Sequence, residues 1–189
     1  WLLGIRQVDG GWSIPMITHK LDRETQYRLS SQSAAPLQPE RSQPFSHNAT
    51  GMILRAFAVH PHYRHCAAAQ TAARLLAGRF FQPDAYTSYQ DASYWLRFEY
   101  PFWWNSLLSA LDSLSQMGMS KDDAQIRLAL DWLVEHQQPS GLWQVSYARP
   151  GEVEKQSKKA QGMKLWVSLA ICRVFCRFEG IGFPGRDAD

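Results

Sequence analysis

The stretch Trp132-Leu133-Val134-Glu135-His136-Gln137-Gln138-Pro139-Ser140-Gly141-Leu142-Trp143 decides the fold of this 189-residue chain. It runs from the apolar end of a helical pattern through Gln, Pro and Gly to a Trp. Residues 2–12 repeat the pattern. There, Gln7, Gly10 and Trp12 correspond to Gln137, Gly141 and Trp143. A pattern that recurs within one chain indicates repeated structural units.

In each copy the residue types suit the end of a helix. Gly adopts the left-handed backbone conformation in which many helices end. A Gln amide both donates and accepts hydrogen bonds, so it can tie the turn to a neighbouring helix end. The indole of Trp can cover that amide and bury a large apolar area. The two stretches therefore predict two turns that hold helices together.

Apolar residues recur with helical spacing over most of the chain after residue 46. The pattern predicts five helices, at about 47–59, 62–81, 102–118, 121–137 and 161–178. Ser120 and Asp123 have the spacing of a capping box at the start of the fourth helix. Alternation with period two is never sustained, so the predicted fold class is all-α. Residues 18–46 lack periodicity and predict a polar loop that we expect to be mobile.

The five predicted helices are of two kinds. The helix at 121–137 is amphipathic, so one of its faces meets water. Three others carry few charges and must be covered on most sides. These covered helices recur at intervals of roughly 60 residues, which indicates antiparallel helical hairpins stacked side by side.

The two Gln-Trp stretches resemble the repeats of the squalene–hopene cyclase and protein prenyltransferase β-subunit superfamily. The resemblance covers most of residues 1–12 and 47–178, and it implies an α/α toroid, which is a ring of antiparallel helical hairpins. The chain would supply about half of such a ring. Residues 1–17 would be the end of a truncated hairpin, and residues 47–189 would form the hairpins that follow. Since the chain begins at Trp1 without an initiator Met, we expect the missing half upstream or in a second subunit.

The catalytic motifs that the resemblance implies are missing from the sequence. The nearest string to the Asp-x-Asp-Asp of alkene-protonating cyclases is Asp122-Asp123, which suits a helix start, where carboxylates favour the dipole. The same pair lacks the last Asp of the Asp-Asp-x-x-Asp motif that holds magnesium diphosphate. Nor is there an Asp-x-Cys like that of the prenyltransferase zinc site. The sequence indicates no metal and no cofactor, and it leaves open whether the chain is an enzyme.

The aromatic-rich segment 94–104 is the predicted ligand site. Loops that enter the inner helices of such a toroid line its cavity, so the resemblance implies a pocket wall for an apolar ligand, with isoprenoids as one class. We expect Arg97 to bind an anionic head group. The alternative is that the rings pack hairpin against hairpin, while Arg97 pairs with Glu99 or makes a cation–π contact. The predicted ligand-binding residues are His47, Trp95, Arg97, Phe98, Trp103, Trp104, Asn105 and Trp166.

A polar stripe runs along the third predicted helix and contains Asn105, Ser109, Asp112 and Gln116. When the last repeat is laid over this helix, Arg173 takes the position of Asp112, which predicts an ion pair between the two side chains. Without such a partner, Asp112 would be a candidate catalytic acid.

Two clusters have a metal-binding alternative. Three His and one Cys lie within residues 60–66, but Pro61 interrupts them, so we predict a polar turn. Cys172 and Cys176 are four residues apart on the last helix, and we predict that they are buried apolar thiols.

Composition limits the class of partner. A net charge of +3 is too small to indicate a nucleic-acid partner. The longest apolar run, 165–178, contains Arg173 and Arg177 and is too short to span a bilayer, so we expect no integral membrane segment. Three cysteines are too few for a disulfide framework and no signal peptide opens the chain, so we expect a cytoplasmic protein.

Three functions remain open from the sequence. The first is a terpene-cyclase-like or prenyltransferase-like protein with an aromatic-lined cavity for an apolar small molecule. The second is a non-catalytic helical scaffold that binds protein or peptide. The third is a carbohydrate-active α/α-toroid enzyme, for which Asp91 and Glu99 are the carboxylates nearest to the aromatic segment.

Overall fold

The computed structural model describes residues 1–31, 37–86, 91–145 and 158–181. Within them the chain is all-helical and has no strand, which confirms the predicted fold class. Short 3-10 helices lie at Leu2–Ile5, Tyr63–His65 and Ala92–Leu96. The α-helices of these residues are α1 Pro15–Thr18, α2 Arg23–Ser31, α3 His47–Ala58, α4 Ala67–Ala77, α5 Leu107–Gln116, α6 Ala124–Glu135 and α7 Lys158–Phe178. Parts of the predicted polar loop (32–36) and of the last predicted segment (182–189) lie outside the described residues.

Capping side chains set the starts of the main helices. The Ser46 hydroxyl accepts a hydrogen bond from the Ala49 backbone N–H at the start of α3. Ser106 forms a capping box with Ser109 at the start of α5. The helix therefore begins at Leu107, several residues after its predicted start at 102. The capping residue of α6 is Asp123, whose carboxylate accepts hydrogen bonds from two backbone N–H groups in the first turn of the helix. Ser120 therefore does not cap this helix. A capping side chain supplies the partner that the first N–H groups of a helix lack.

The segment 18–46 contains more regular structure than predicted. α2 occupies Arg23–Ser31 within it, and no residue of α2 is buried. Its first turn is fixed by Asp22, whose carboxylate accepts hydrogen bonds from the backbone N–H and the hydroxyl of Thr25. Periodicity did not indicate this helix because it packs no apolar stripe against the core.

The helices α3, α5 and α7 lie side by side, and we call them the central row. α5 is in the middle and contacts both α3 and α7, while α4 packs against α3 and α5. The helix α5 is apolar on most sides, and Leu107, Leu108, Leu111 and Leu114 are almost completely buried. This agrees with the expectation that its nearly uncharged sequence is covered on most sides.

The first Gln-Trp turn connects three parts of the chain. The backbone N–H of Gln7 donates to the Gly11 carbonyl at 2.9 Å. The indole N–H of Trp12 donates to the Leu2 carbonyl at 2.8 Å. The backbone N–H of Trp12 donates to the hydroxyl of Thr50 in α3 at 2.8 Å. The turn is therefore bonded both to the helical segment before it and to the helix after it.

The second Gln-Trp turn repeats these three bonds, although the Gln side chains differ: the Gln7 amide donates to the Glu40 and Gln43 carbonyls, and the Gln138 amide donates to Gln144 Oε1. The backbone N–H of Gln138 donates to the Leu142 carbonyl at 2.9 Å. The indole N–H of Trp143 donates to the Leu133 carbonyl in α6 at 2.7 Å, and its backbone N–H donates to the hydroxyl of Ser168 in α7 at 3.1 Å. The two turns are thus one structural unit used twice.

These bonds correct the register of the predicted motif. Gln138 takes the position of Gln7, so both turns have the spacing Gln-x-x-Gly-x-Trp. Gln137 is exposed, and its amide bonds to the Gly141 carbonyl inside its own turn. Gly10 and Gly141 have φ of 103° and 79°, the left-handed region expected for this position. The Trp of each turn is buried, as predicted.

Candidate functional site

Few charged side chains lie on α3, on α5 and on the C-terminal part of α7, and these few border one cavity. Arg55 is the only Lys, Arg, Asp or Glu of α3, and Asp112 is the only one of α5. The C-terminal part of α7 adds Arg173 and Arg177. Because the three helices lie side by side, these four residues border a single cavity.

This cavity, which we call the arginine cavity, has a volume of about 290 Å³. Among the described residues that line it are three arginines and one carboxylate. The loop before α5 closes one side with aromatic rings. The lining residues are Arg55, Tyr100, Pro101, Phe102, Asp112, Ala170, Arg173 and Arg177.

Asp112 forms an ion pair with Arg177 across α5 and α7. The Arg177 Nη1 donates to Asp112 Oδ1 at 2.6 Å and lies 3.4 Å from the Ser115 hydroxyl. The Gln116 amide donates to the other carboxylate oxygen at 2.8 Å. The sequence overlay selected Arg173, which lies one helical turn earlier and lines the same cavity. The predicted contact between α5 and α7 is therefore present, but Asp112 forms its ion pair with Arg177 and not with the predicted Arg173.

Arg55 joins α3 to the loop before α5. Its guanidinium donates to the Phe102 carbonyl at 2.7 Å and lies 3.5 Å from the Trp103 carbonyl. Burial lowers the pKa of Arg55, and the nearby Asp112 carboxylate opposes that shift. An arginine stays charged at neutral pH even so, because its ordinary pKa is far higher. The cavity therefore contains a half-buried, fixed cation.

Aromatic side chains lie beside the arginines. Tyr100 stacks on Trp166 of α7 with ring centroids 5.6 Å apart and 12° between the planes. Phe102 meets Tyr100 edge to face at 5.4 Å. Trp166 is 54% exposed, so one side of this stack is open to a ligand. Of the predicted ligand-binding residues, Trp166 contacts the lining residue Tyr100 through its ring, and Trp103 contacts the lining residue Arg55 through its carbonyl.

Four other predicted ligand-binding residues are core residues. His47, Trp95, Phe98 and Asn105 are each at most 3% exposed. The Asn105 amide donates to the His47 carbonyl at 3.1 Å, and the His47 and Trp95 rings lie 4.4 Å apart. The Trp95 indole N–H donates to the Gln82 carbonyl at 2.9 Å. The structure thus brings His47, Trp95 and Asn105 together. All three are buried, and none of them lines the arginine cavity.

His47 has an unusual environment within that core. Burial lowers its pKa, and the Asp84 carboxylate, 3.9 Å from Nδ1, opposes the shift. Asp84 is itself engaged by the Ser46 hydroxyl at 2.7 Å and by the His47 backbone N–H at 3.1 Å. These are capping contacts at the start of α3, so the cluster has a structural role.

The remaining predicted residues of the aromatic segment lie on the surface. The Arg97 guanidinium lies over the Tyr94 ring, 3.6 Å from its centroid, which is the cation–π alternative predicted from the sequence. Trp103 and Trp104 are 71% and 42% exposed. Asp91 accepts a hydrogen bond from the Ser93 backbone N–H, and this bond holds the pKa of Asp91 below its usual value. Arg97 does not line the arginine cavity.

The His- and Cys-containing segments form no metal site in the described residues. Among those residues, no three His, Cys, Asp or Glu side chains are grouped so that they could hold a metal ion. His60 Nδ1 accepts from the backbone N–H groups of His62 and Tyr63 at 3.2 and 3.3 Å, as in a polar turn. The prediction of two buried thiols is wrong for Cys172, which is exposed, and Cys176 is half-buried.

Sequence reasoning missed Arg55 and Arg177. A signal was present, because Arg55 is the single charge of α3 and Arg177 lies within the apolar run 165–178, and a charge in such surroundings needs a partner or a ligand. None of the described helices has both the length and the apolar character needed to cross a bilayer.

No protein-family model, curated protein or solved structure matches the chain.

Proposed function

We propose that the chain is part of an α/α toroid that binds an apolar ligand with an anionic head group, isoprenoids being one class of such ligands. The observation that supports this is the arginine cavity. Among the described residues that line it are three arginines from two helices of the central row, together with the carboxylate of Asp112. Arginine suits this task because its planar donors match carboxylate and phosphate oxygens.

The proposed activity is binding, not catalysis by Asp112. Both carboxylate oxygens of Asp112 accept hydrogen bonds, one from Arg177 and one from Gln116. A general acid must carry a proton on one of these oxygens and present it to the substrate. The acidic motifs of the cyclases and synthases are also missing from this sequence.

The size of the cavity limits how a ligand is placed. Ligand pockets usually measure about 300–1,000 Å³. A cavity of about 290 Å³ therefore accommodates a head group and a short part of a chain. We place the rest of an apolar chain on the open side of the Tyr100–Trp166 stack.

We further propose that more hairpins, upstream or in a second subunit, extend the central row into a ring. Leu165 and Leu169 are exposed on α7, which also packs against α5. A repeat array normally covers such a face with the next repeat. The three free cysteines support a reducing compartment, so the proposed location is the cytoplasm.

Titration with farnesyl diphosphate tests the proposed function. Calorimetry and the tryptophan fluorescence of the chain would report binding to the wild type. Arg55→Gln and Arg173→Gln should each weaken binding by about 10- to 100-fold, since a hydrogen bond to a charged group contributes about 1.5–3 kcal/mol. Arg97→Gln is the matched control, because it removes the same charge from the surface, and its affinity should equal that of the wild type.

Two results would contradict the proposal. One is a wild-type chain that does not bind the diphosphate. The other is an equal loss of affinity in Arg97→Gln and Arg55→Gln, which would indicate attraction to overall charge. Because Arg55 also bonds to the Phe102 carbonyl, thermal unfolding of each variant is needed to show that it is folded.

A further inference from the structure

We propose that a second cavity, between α4 and Phe45, binds an acidic peptide segment of a partner protein, in which carboxylates flank an apolar residue. We call this cavity the α4 groove. Phe45 and six residues between Thr71 and Gln82 line it, and its volume is about 440 Å³. It shares no lining residue with the arginine cavity, so the proposal does not depend on the function proposed above.

The charge of the α4 groove comes from Arg74 and Arg79. Among the described residues that line the groove there is no carboxylate. Neither guanidinium takes part in a hydrogen bond or an ion pair within the described part of the chain, and Arg79 instead lies over the Phe45 ring, 5.3 Å from its centroid. The donor groups of both side chains are therefore available to an external anion.

Two carboxylates close to the groove are already engaged, and neither lines it. The Asp9 carboxylate accepts hydrogen bonds from the backbone N–H groups of Gly11 and Phe45 at 3.1 and 2.8 Å. The Asp84 carboxylate accepts from the Ser46 hydroxyl at 2.7 Å and serves the start of α3. Both acids thus hold the loop beside the groove and leave the two arginines without an acidic partner.

The groove also has an apolar floor. Phe45 is only 5% exposed, and a Cβ added at Gly11 would lie 2.5 Å from the Phe45 Cβ, so the ring is packed closely on the first Gln-Trp turn. Leu75, which is half-buried, follows Arg74 on α4. An apolar surface that lies next to both arginines fits an apolar side chain with a carboxylate on each side of it.

The shape of the groove favours a peptide over a small molecule. Thr71, Arg74, Gly78 and Gln82 are exposed, so the groove is open along α4. A small-molecule site normally encloses most of its ligand, whereas an extended peptide can lie along an open groove. Arg79 suits a carboxylate because its planar donors bind two oxygens at once, and its contact with Phe45 already orients it.

The test measures fluorescence anisotropy of the labelled peptide Ser-Glu-Glu-Leu-Glu-Glu-Ser against the same peptide with Gln in place of each Glu. The wild-type chain should bind the Glu peptide at least about tenfold more tightly. Arg79→Gln should weaken its binding about tenfold, and Arg74→Gln about threefold because this side chain is more exposed. Arg127→Gln is the matched control, because it removes the same charge from the exposed face of α6 and should bind like the wild type.

Two further measurements keep the proposal testable if Arg79→Gln unfolds. Arg74→Gln changes an exposed side chain with no described partner, so the fold should be kept. A peptide with Ser in place of Leu should bind the wild-type chain about fivefold more weakly, because it gives the apolar floor no side chain to cover. Equal affinities for the Leu and Ser peptides would refute the role of the floor.

The other outcomes decide between this site and its alternatives. Equal binding of the Glu and Gln peptides by the wild-type chain would overturn the proposal. An equal loss in Arg127→Gln and Arg79→Gln would also overturn it, because it would indicate attraction to overall charge. If Arg55→Gln weakens peptide binding and Arg79→Gln does not, the peptide occupies the arginine cavity, and this proposal fails while the anion site proposed above stands.

Discussion

The substitution Thr50→Val should destabilise the chain by removing one hydroxyl from a buried turn. Thr50 is completely buried, and its Oγ1 accepts from the Trp12 backbone N–H at 2.8 Å. The same hydroxyl donates to the Trp12 carbonyl at 3.1 Å. Valine has nearly the same shape, so the change removes these two bonds and creates no large cavity.

The loss of stability depends on which buried polar group of Trp12 is left without a hydrogen-bond partner. The Trp12 carbonyl still accepts from the Ser46 backbone N–H at 2.9 Å, so it stays satisfied. The Trp12 N–H loses its acceptor in a buried place, and a buried unsatisfied donor costs about 1–3 kcal/mol. We therefore expect the free energy of unfolding to fall by about 1–3 kcal/mol.

Urea unfolding followed by far-UV circular dichroism measures this change. Ser168→Ala removes the corresponding hydroxyl from the second turn, where it accepts from the Trp143 N–H, and should have an effect of similar size. Thr71→Val is the control, because Thr71 is an exposed threonine of α4 and should change stability by less than about 0.5 kcal/mol. A loss in Thr50→Val no larger than that of the control would refute the idea that the hydroxyl anchors the turn.

Three further predictions follow from buried or exposed groups described above. Gly51→Ala should destabilise the chain by about 1–3 kcal/mol in urea unfolding, because the added methyl group collides with the buried Asn105 side chain; an unchanged midpoint would contradict this. The contribution of His47 to the free energy of unfolding should be constant above the ordinary pKa of His, about 6.5, and should fall as the pH drops below it. The reason is that burial lowers the pKa of His47 in the folded chain, so the unfolded chain takes up the proton first. In His47→Gln that dependence should be weaker, and an identical pH profile would show that other groups cause it. Cys172 should react with a thiol reagent in the native chain faster than the two half-buried cysteines do, and Cys172→Ser should remove the fast phase.

The helices were predictable because their signals are local. Apolar spacing located α3, α4, α5, α6 and α7 to within several residues, and Gly and Trp marked the turn after α6. The exact starts depend on which side chain caps the first turn, and at α6 both Ser120 and Asp123 had a suitable type. Only the structure shows that Asp123 accepts the hydrogen bonds there.

The candidate site was less predictable because it depends on how helices slide along one another. Placing Arg173 opposite Asp112 assumed a particular axial offset of α7 against α5. The structure pairs Asp112 with Arg177, and the four residues from Arg173 to Arg177 correspond to a rise of about 6 Å along the helix. Similarly, Trp95 and Phe98 have the residue type of a ligand-cavity wall, but the same rings fill a core equally well.

The bonds of the two tryptophan turns have a consequence for how the chain unfolds. Each turn is anchored by a hydroxyl far along the sequence, 38 residues beyond Trp12 and 25 residues beyond Trp143. When one of these turns opens, the hydroxyl on the helix that follows loses the buried Trp backbone N–H that it binds. Such nearest-neighbour coupling makes partly melted arrays costly. We therefore expect the helices to be lost in one cooperative transition, and not hairpin by hairpin.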